Sequence, residues 1–512
     1  MRKILYLFGV IILIFAFSLT ACEEELKTPD SNDDNENEID TIEEEEPDLF
    51  DKIINILNSQ EEQPVLLELS IDLGTMTNTE SSWYVILNAV NTAEKDVILD
   101  LSACTMTKTF FYPNHAVTTG KNKIIEIILP DAADSIYGGA GTMASDFAFN
   151  HFNNLEYISG ANIKEIGYSA FYERKKLKEV SFPEVEIIDS NAFSGCESLK
   201  KTHFPSAEIA GGSAFFGCSK LEEAIFPKLK IININAFSNC ANLSNVDFPE
   251  VKNIAFRAFE NCANLTDINF PLVELLGEYA FNGCSKLKTI NFPNIKIIYK
   301  FSFSYCSSLE KIEDENFLSA VHIADHAFYG CTSLEEINFP KVTIIEPESF
   351  GNCTSLITAR FYADPERTTA PDHPLDPWRN GIPGICTSDS VLVHAMAFNG
   401  CASLKTLDFR NAWNVYFAGH SLANIGTHLD IYLFDDDGTK SYGHPQIDWF
   451  LGSNEGTRTI TSLKLILTQI EREEDSQVKK YNDSAPGMHG IWVQLGDGNQ
   501  YGFHVTTTIE RE

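Results

Sequence analysis

Nine cysteines, Cys196, Cys218, Cys240, Cys262, Cys284, Cys306, Cys331, Cys353 and Cys401, occupy one recurring position in this chain. Thiols ligate metals, pair as disulfides or attack as nucleophiles, and spacing separates these chemistries. Metal ligation needs donors converging on a point, with short spacings such as C-x-x-C; none occurs. Disulfides are open to an exported chain, but nine is odd, and side chains stacked in parallel fit bridge geometry poorly. A free thiol is otherwise a small apolar group suited to burial. The row is therefore expected to be a ladder of reduced, buried cysteines in which a hydroxyl would find no partner. Cys104 and Cys386 fall out of register and have no assigned role.

Other groups carry weaker chemistry. Asp247, Asn269, Asn291 and Asn338 recur at a second position, where sugar or calcium binding and plain solvation are both open. Asp435-Asp436-Asp437-Gly438 lacks the alternate-ligand spacing and distal Glu of a calcium loop, so a polar turn is expected. His373, Trp378 and Arg379 are of the types enriched at binding hot spots, and they fall in a proline-rich stretch where the Trp could equally pin the segment down. There is no G-x-S-x-G, H-E-x-x-H, G-x-x-x-x-G-K-[ST] or G-x-G-x-x-G, and no isolated cysteine in a nucleophile context. Neither an enzyme, a cofactor nor a metal site is expected.

The elements that position these residues are set by a repeat. Phe149, Phe171, Phe193, Phe215, Phe237, Phe259, Phe281 and Phe303 fall 22 residues apart, with further copies at Phe328, Phe350 and Phe398. A Leu follows six residues after most of them, then a strand and a proline, as in Leu199-x-x-Thr202-x-Phe204-Pro205. A unit of this length cannot bury its own apolar face and must stack on its neighbours. With one strand per coil and coils ~4.8 Å apart, eleven copies make a rod on the order of 50 Å long. The Leu, the residue three later and the Phe five later point inward, because side chains alternate along a strand. Rows such as Glu179 and Ser181, Lys201 and His203, and Asp267 and Asn269 then point outward, and the face they make is polar, without an apolar groove.

The flanks supply an address. Arg2 and Lys3 precede an apolar run from Ile4 to Phe17, followed by Leu19-Thr20-Ala21-Cys22. This resembles a bacterial lipoprotein signal: the run is short for a membrane span and ends in small residues. Cleavage before Cys22 would free its amine and thiol for lipid attachment; a plain secretory signal is the alternative. From Glu23 to Asp51 there are 15 acidic residues and one basic, Lys27, a composition that extends rather than folds. The chain's formal charge of −35 argues against nucleic acid and against flat adsorption on anionic lipid.

The expected organisation is a signal peptide over 1–21, an acidic disordered tether over 22–48 and an N-terminal cap over 49–93. A solenoid over 94–412 follows, with an insertion at 363–387, and then a β-rich carboxy-terminal cap or small domain over 413–512. Helical spacing of Phe50, Ile53, Ile54 and Leu57 places a helix at the start of the cap. Between Phe350 and Phe398 the chain holds either two repeats plus four residues or one repeat plus 26.

The unit Leu243-x-x-Val246-x-Phe248-Pro249-x-Val251-x-x-Ile254-x-x-x-Ala258-Phe259-x-x-Cys262 resembles the BspA-like, treponemal class of bacterial leucine-rich repeats. The resemblance covers about three-fifths of the chain and departs from the pattern at Phe152 and Arg174, which replace the ladder cysteine in the first copies. It implies a right-handed superhelix of parallel strands on a bacterial cell surface, adhesion to host matrix or plasma proteins or to other cells, and no catalytic residues. The expectation is a monomer in the cell envelope, anchored through Cys22, in the outer membrane with surface exposure, and binding proteins. The alternative is a carbohydrate-binding or hydrolytic accessory lipoprotein whose activity lies in 413–512.

Overall fold

The computed structural model describes residues 48–76, 79–113, 118–138, 147–361, 390–394 and 396–409, then 414–417, 425, 428–435, 446–449, 462–468, 492–494, 500–502 and 506–511. Met1–Glu46 and Pro47–Glu512 are separate units. The signal, Cys22 and all of the tether but Asp48 lie outside the described residues.

The cap opens with a helix, Leu49–Ser59, whose first turn is held by Asp48: its carboxylate accepts the Asp51 N–H at 3.1 Å. A second helix, Ser82–Ala93, buries Trp83, Ile86, Leu87 and Val90. Strand Val65–Glu68 pairs in parallel with Val97–Asp100, so the cap already belongs to the ladder it closes.

Each repeat then makes two strands where the sequence suggested one. The Leu-x-x-Ile-x-Phe segment forms the first, as in Lys201–His203, Glu223–Ile225 and Asn245–Asp247, paired in parallel one repeat apart. The following Val-x-x-Ile forms a shorter second strand, as in Ile187–Ile188, Ile209–Ala210 and Ile231–Ile232. Alternation buries Thr202 and Phe204 and exposes Lys201 and His203, as the sequence requires. The proline between the strands lacks an N–H for the ladder and separates the two strands of the coil.

The third side of the coil is a turn with its own hydrogen-bond column. Asn191, Ser213, Asn235, Arg257, Tyr279 and Phe301 all adopt φ of 54–57° or 59°. That left-handed backbone costs an L-residue roughly 1–2 kcal/mol. It aims the N–H along the stack, so that Asn191 donates to Gly212 O at 2.9 Å, Ser213 to Ile234 O at 2.8 Å and Tyr279 to Lys300 O at 3.0 Å. A buried backbone donor without a partner would cost comparably, and the strain is thereby offset in every coil.

Inside, the anchor phenylalanines form one stack: Phe171 on Phe193 at 5.0 Å between centroids, Phe215 on Phe237 at 5.2 Å and 3° from parallel. The Phe of each Phe-Pro packs on it from the side, as Phe226 does on Phe215 at 5.6 Å and 74°. The ten cysteines in the described residues are all free and buried. The ladder thiols are not surrounded by carbon alone. Cys262 Sγ donates to Phe237 O at 3.2 Å, and the same contact recurs from Cys196 to Cys401. The expectation that a hydroxyl here would go unsatisfied is corrected by this carbonyl acceptor.

Irregularities are absorbed outside the ladder. Three extra residues after Phe303 are taken up around a 3-10 turn, Asp314–Phe317, which delivers Phe317 into the vacant Phe-Pro position between Phe292 and Phe339. At the long gap, Phe398 stacks directly on Phe350 at 5.5 Å, and Ile345 pairs with Val393. The gap is therefore one repeat plus an insertion.

The ladder also runs past residue 412. Thr406–Phe409 pairs in parallel with His428–Asp435, which pairs with Ser462–Thr468 and on to Thr506–Arg511. Asn414–Phe417 and Gln446–Trp449 extend the second ladder. Longer connections hide this periodicity in the sequence. Only Trp492–Gln494 and Gln500–Gly502 form an antiparallel hairpin among the described strands.

Candidate binding surface

A solenoid presents three outward faces, and each is built by one position in the repeat. The first-ladder face is polar. Its side chains satisfy one another between coils: Asn291 Nδ2 donates to Asn269 Oδ1 at 2.7 Å, Asn245 Nδ2 to Glu223 Oε2 at 3.0 Å, and Thr289 Oγ1 to Asp267. Among the described residues no group of three or more His, Cys, Asp or Glu side chains converges to hold a metal ion. Asn269 and Asn291 therefore read as lateral hydrogen bonding along the sheet, while the Asn338 side-chain oxygen is buried without a partner.

The second-ladder face is different, and sequence reasoning missed it. The first residue of each short strand points outward; in four coils it is Ile187, Ile209, Ile231 and Leu275, exposed by 37%, 48%, 42% and 57%, with the half-buried Asn253 between the last two and Glu165 before the first. Its signal was the residue just before the recurring Ile of Val-x-x-Ile, which is apolar in several copies although only the Ile is buried. Further along, the same position holds His322, which is buried and pairs with Glu346 at 2.8 Å. Burial alone would raise the Glu346 carboxyl, but His322 and the Asp325 N–H hold it below its ordinary value.

The turn face carries an aromatic column. Arg257 lies over the rings of Phe256 and Tyr279, 4.8 Å and 5.0 Å from their centroids. Tyr279 stacks on Phe301 at 4.6 Å, Phe301 on His326 at 4.7 Å, His326 meets Tyr329 at 5.0 Å, and Tyr329 meets Tyr305 at 5.6 Å. Phe256 and Tyr305 are exposed by 36% and 55%. Tyr279, Phe301, His326 and Tyr305 all sit at positive φ, where bulky residues are uncommon. The left-handed turn recurs in every coil, so what sets these coils apart is the aromatic residues that occupy it. Because the inner rings cover one another's faces, the column offers edges, hydroxyls and a guanidinium to a partner, not open ring planes.

The family described as the BspA type leucine rich repeat region matches residues 142–265 and 252–367, in six copies. This region is a BspA-type leucine-rich-repeat array. Among solved structures, a leucine-rich-repeat protein from Bacteroides ovatus is 18% identical, with 76% of this chain and 84% of that one covered, at a TM-score of 0.44. A leucine rich cell surface protein from Faecalibacterium prausnitzii is 19% identical over 61% and 88%, at 0.34. The T. pallidum leucine-rich-repeat protein is 28% identical over 32% and 78%, at 0.28. No curated protein matches the chain.

The BspA-type array brings none of the sequence-nominated contact residues into view. His373, Trp378, Arg379 and Cys386 lie outside the described residues, as do Asp436, Asp437 and Gly438, while Asp435 ends the strand His428–Asp435. The strand ends that flank the insertion, Thr358–Phe361 and Ser390–Val393, lie within the array. Among the described residues no helix is long and apolar enough to cross a membrane.

Proposed function

We propose that this chain is a surface-exposed lipoprotein of the bacterial envelope, anchored through Cys22 in the outer membrane, whose repeat array binds other proteins and mediates adhesion. The observation that carries the binding reading is the turn-face column from Phe256 to Tyr305. Tyr, Phe and Arg are enriched in the cores of protein interfaces, and a few such residues supply most of the binding energy. Here they are clustered, exposed at both ends of the column, and set at a turn position that other coils fill with Asn or Ser. The insertion over 363–387, with His373, Trp378 and Arg379, is assigned as a second contact, since loops on a rigid scaffold commonly carry function. Export and the anchor rest on the segment from Arg2 to Cys22, and the acidic tether over 22–48 holds the array off the membrane.

Two measurements test the reading. In a producing bacterium, labelled fatty acid should enter the protein, and Cys22→Ala should abolish it; labelling that persists removes the anchor. Bacteria displaying the protein should retain host matrix or plasma proteins, and Tyr279→Ala combined with Phe301→Gly should weaken capture by about tenfold or more, the scale of a lost hot spot. Undiminished capture with the fold intact would move the contact off the turn face.

A further inference from the structure

Beside the exposed aliphatics of the second ladder runs a row of exposed charges: Lys164, Glu186, Glu208, Lys230, Lys252 and Glu274. Backbone bonds hold them in register, Glu208 N–H donating to Glu186 O at 2.9 Å, Lys252 to Lys230 O at 3.0 Å and Glu274 to Lys252 O at 2.9 Å. Within one chain most neighbours in the row are of opposite sign, Lys164 beside Glu186, Lys252 beside Glu274, and Glu208 beside Lys230, whose side chains meet at 2.7 Å. The row also sets Glu186 beside Glu208 and Lys230 beside Lys252. Like charges directly opposite on neighbouring strands destabilise a sheet, so the stability of a single chain accounts for the opposite-sign neighbours but not for these two junctions.

Turned end to end, the row is its own complement. Glu208 then faces Lys230, Glu186 faces Lys252 and Lys164 faces Glu274. The next pair outward, Asp134 and Lys296, are both exposed and follow the same rule. We propose that this face binds a second copy of the same chain, with the two arrays antiparallel about a two-fold axis that runs along the strands between the coils of Ile209 and Ile231. Such an isologous contact makes every pair occur twice. The same axis lays Ile209 of one copy against Ile231 of the other, at the centre, where an interface is driest, while Ile187 faces Asn253 and Leu275 faces Glu165 further out, so the apolar contact is confined to the two central coils.

The dimensions suffice. Six residues per coil at ~3.3 Å each, over eight coils at ~4.8 Å, span on the order of 750 Å² per partner, close to the ~800 Å² per partner of a stable interface. The inference goes beyond the proposed function, because it uses a different face from the aromatic column and survives if the column binds nothing.

The test is the mass of the full chain in mild detergent by sedimentation equilibrium, at roughly 1–50 µM, where a micromolar Kd is read. The wild type should dimerise. Glu186→Lys and Lys252→Glu should each weaken the dimer by about tenfold or more, because each sets like charges opposite one another twice. The double variant should recover it. Residues 186 and 252 are three coils, ~14 Å, apart in one chain, so recovery reports contact between copies and not repair of a monomer. Circular dichroism and melting confirm that each variant folds. A wild type that stays monomeric throughout, a dimer indifferent to both reversals, or a double variant no better than the singles would each overturn the proposal and leave the face to another partner.

Discussion

Cys401 Sγ donates to Phe350 O at 3.1 Å across 51 positions of sequence, where Cys196 reaches Phe171 across 25 at 3.2 Å. The ladder closes over the insertion as it closes between ordinary coils. Replacing residues 364 to 385 by a short Gly-Ser bridge should therefore leave the melting transition nearly unchanged, since closure entropy varies only slowly with loop length. Partner binding should fall by about tenfold, with Trp378→Ala alone supplying much of the loss, ~2 kcal/mol for a hot spot. Unaltered affinity would confine the contact to the array itself.

The same hydrogen bond decides how the cysteine ladder responds to substitution. Cys262→Ser keeps a donor for Phe237 O, 3.2 Å from the native sulfur, and should cost ~1 kcal/mol. It should be no more destabilising than Cys262→Ala in denaturant melts; a serine markedly worse than alanine would mean that the carbonyl is out of reach. Burial pushes the thiols of Cys196, Cys262 and Cys306 well above their ordinary pKa. Native protein should thus resist alkylation at pH 8, while denatured protein reacts without prior reduction.

Phe301 stands at φ 56° between Tyr279 and His326, so backbone strain and ring stacking can be separated. Phe301→Gly removes both the ring and the left-handed penalty; Phe301→Ala removes only the ring. The glycine variant should be the more stable of the two by ~1 kcal/mol, measured by thermal or chemical unfolding. Equal stabilities would show that the turn relaxes when the ring goes.

Lys121 is fully buried, its ammonium 5.3 Å from the Phe152 ring centroid. Burial, with Arg174 adding repulsion, lowers its pKa from 10.5 to about 7. Between those values the unfolded chain holds the proton that the folded chain has released, so this group makes stability rise with pH across pH 7 to 10.5 and penalises the fold fully below pH 7. Lys121→Met should be more stable than the parent at pH 6, with the advantage shrinking towards pH 10. An advantage independent of pH would assign it to packing rather than to charge.

The 22-residue period of Phe, Leu and Cys determined that this chain is a solenoid, because each coil buries the same few positions and only apolar residues meet that demand. It also separated the inward row of Thr202 and Phe204 from the outward row of Lys201 and His203, since alternation along a strand is local geometry. The second strand of each coil was not legible: Ile187 and Ile188 are the same residue type, and only the coil's bend decides that one is exposed and the other buried. Nor was the Ile345–Val393 pairing: the proline-rich stretch suggested an insertion at 363–387, but the residue count alone fits both one repeat plus 26 and two repeats plus four, and the stacking of Phe398 on Phe350 is what chooses the partners. The aromatic column likewise exists only in three dimensions. Arg257, Tyr279, Phe301 and His326 are scattered one to a repeat, and the left-handed turn that aims each N–H at the next coil is what carries their side chains into contact.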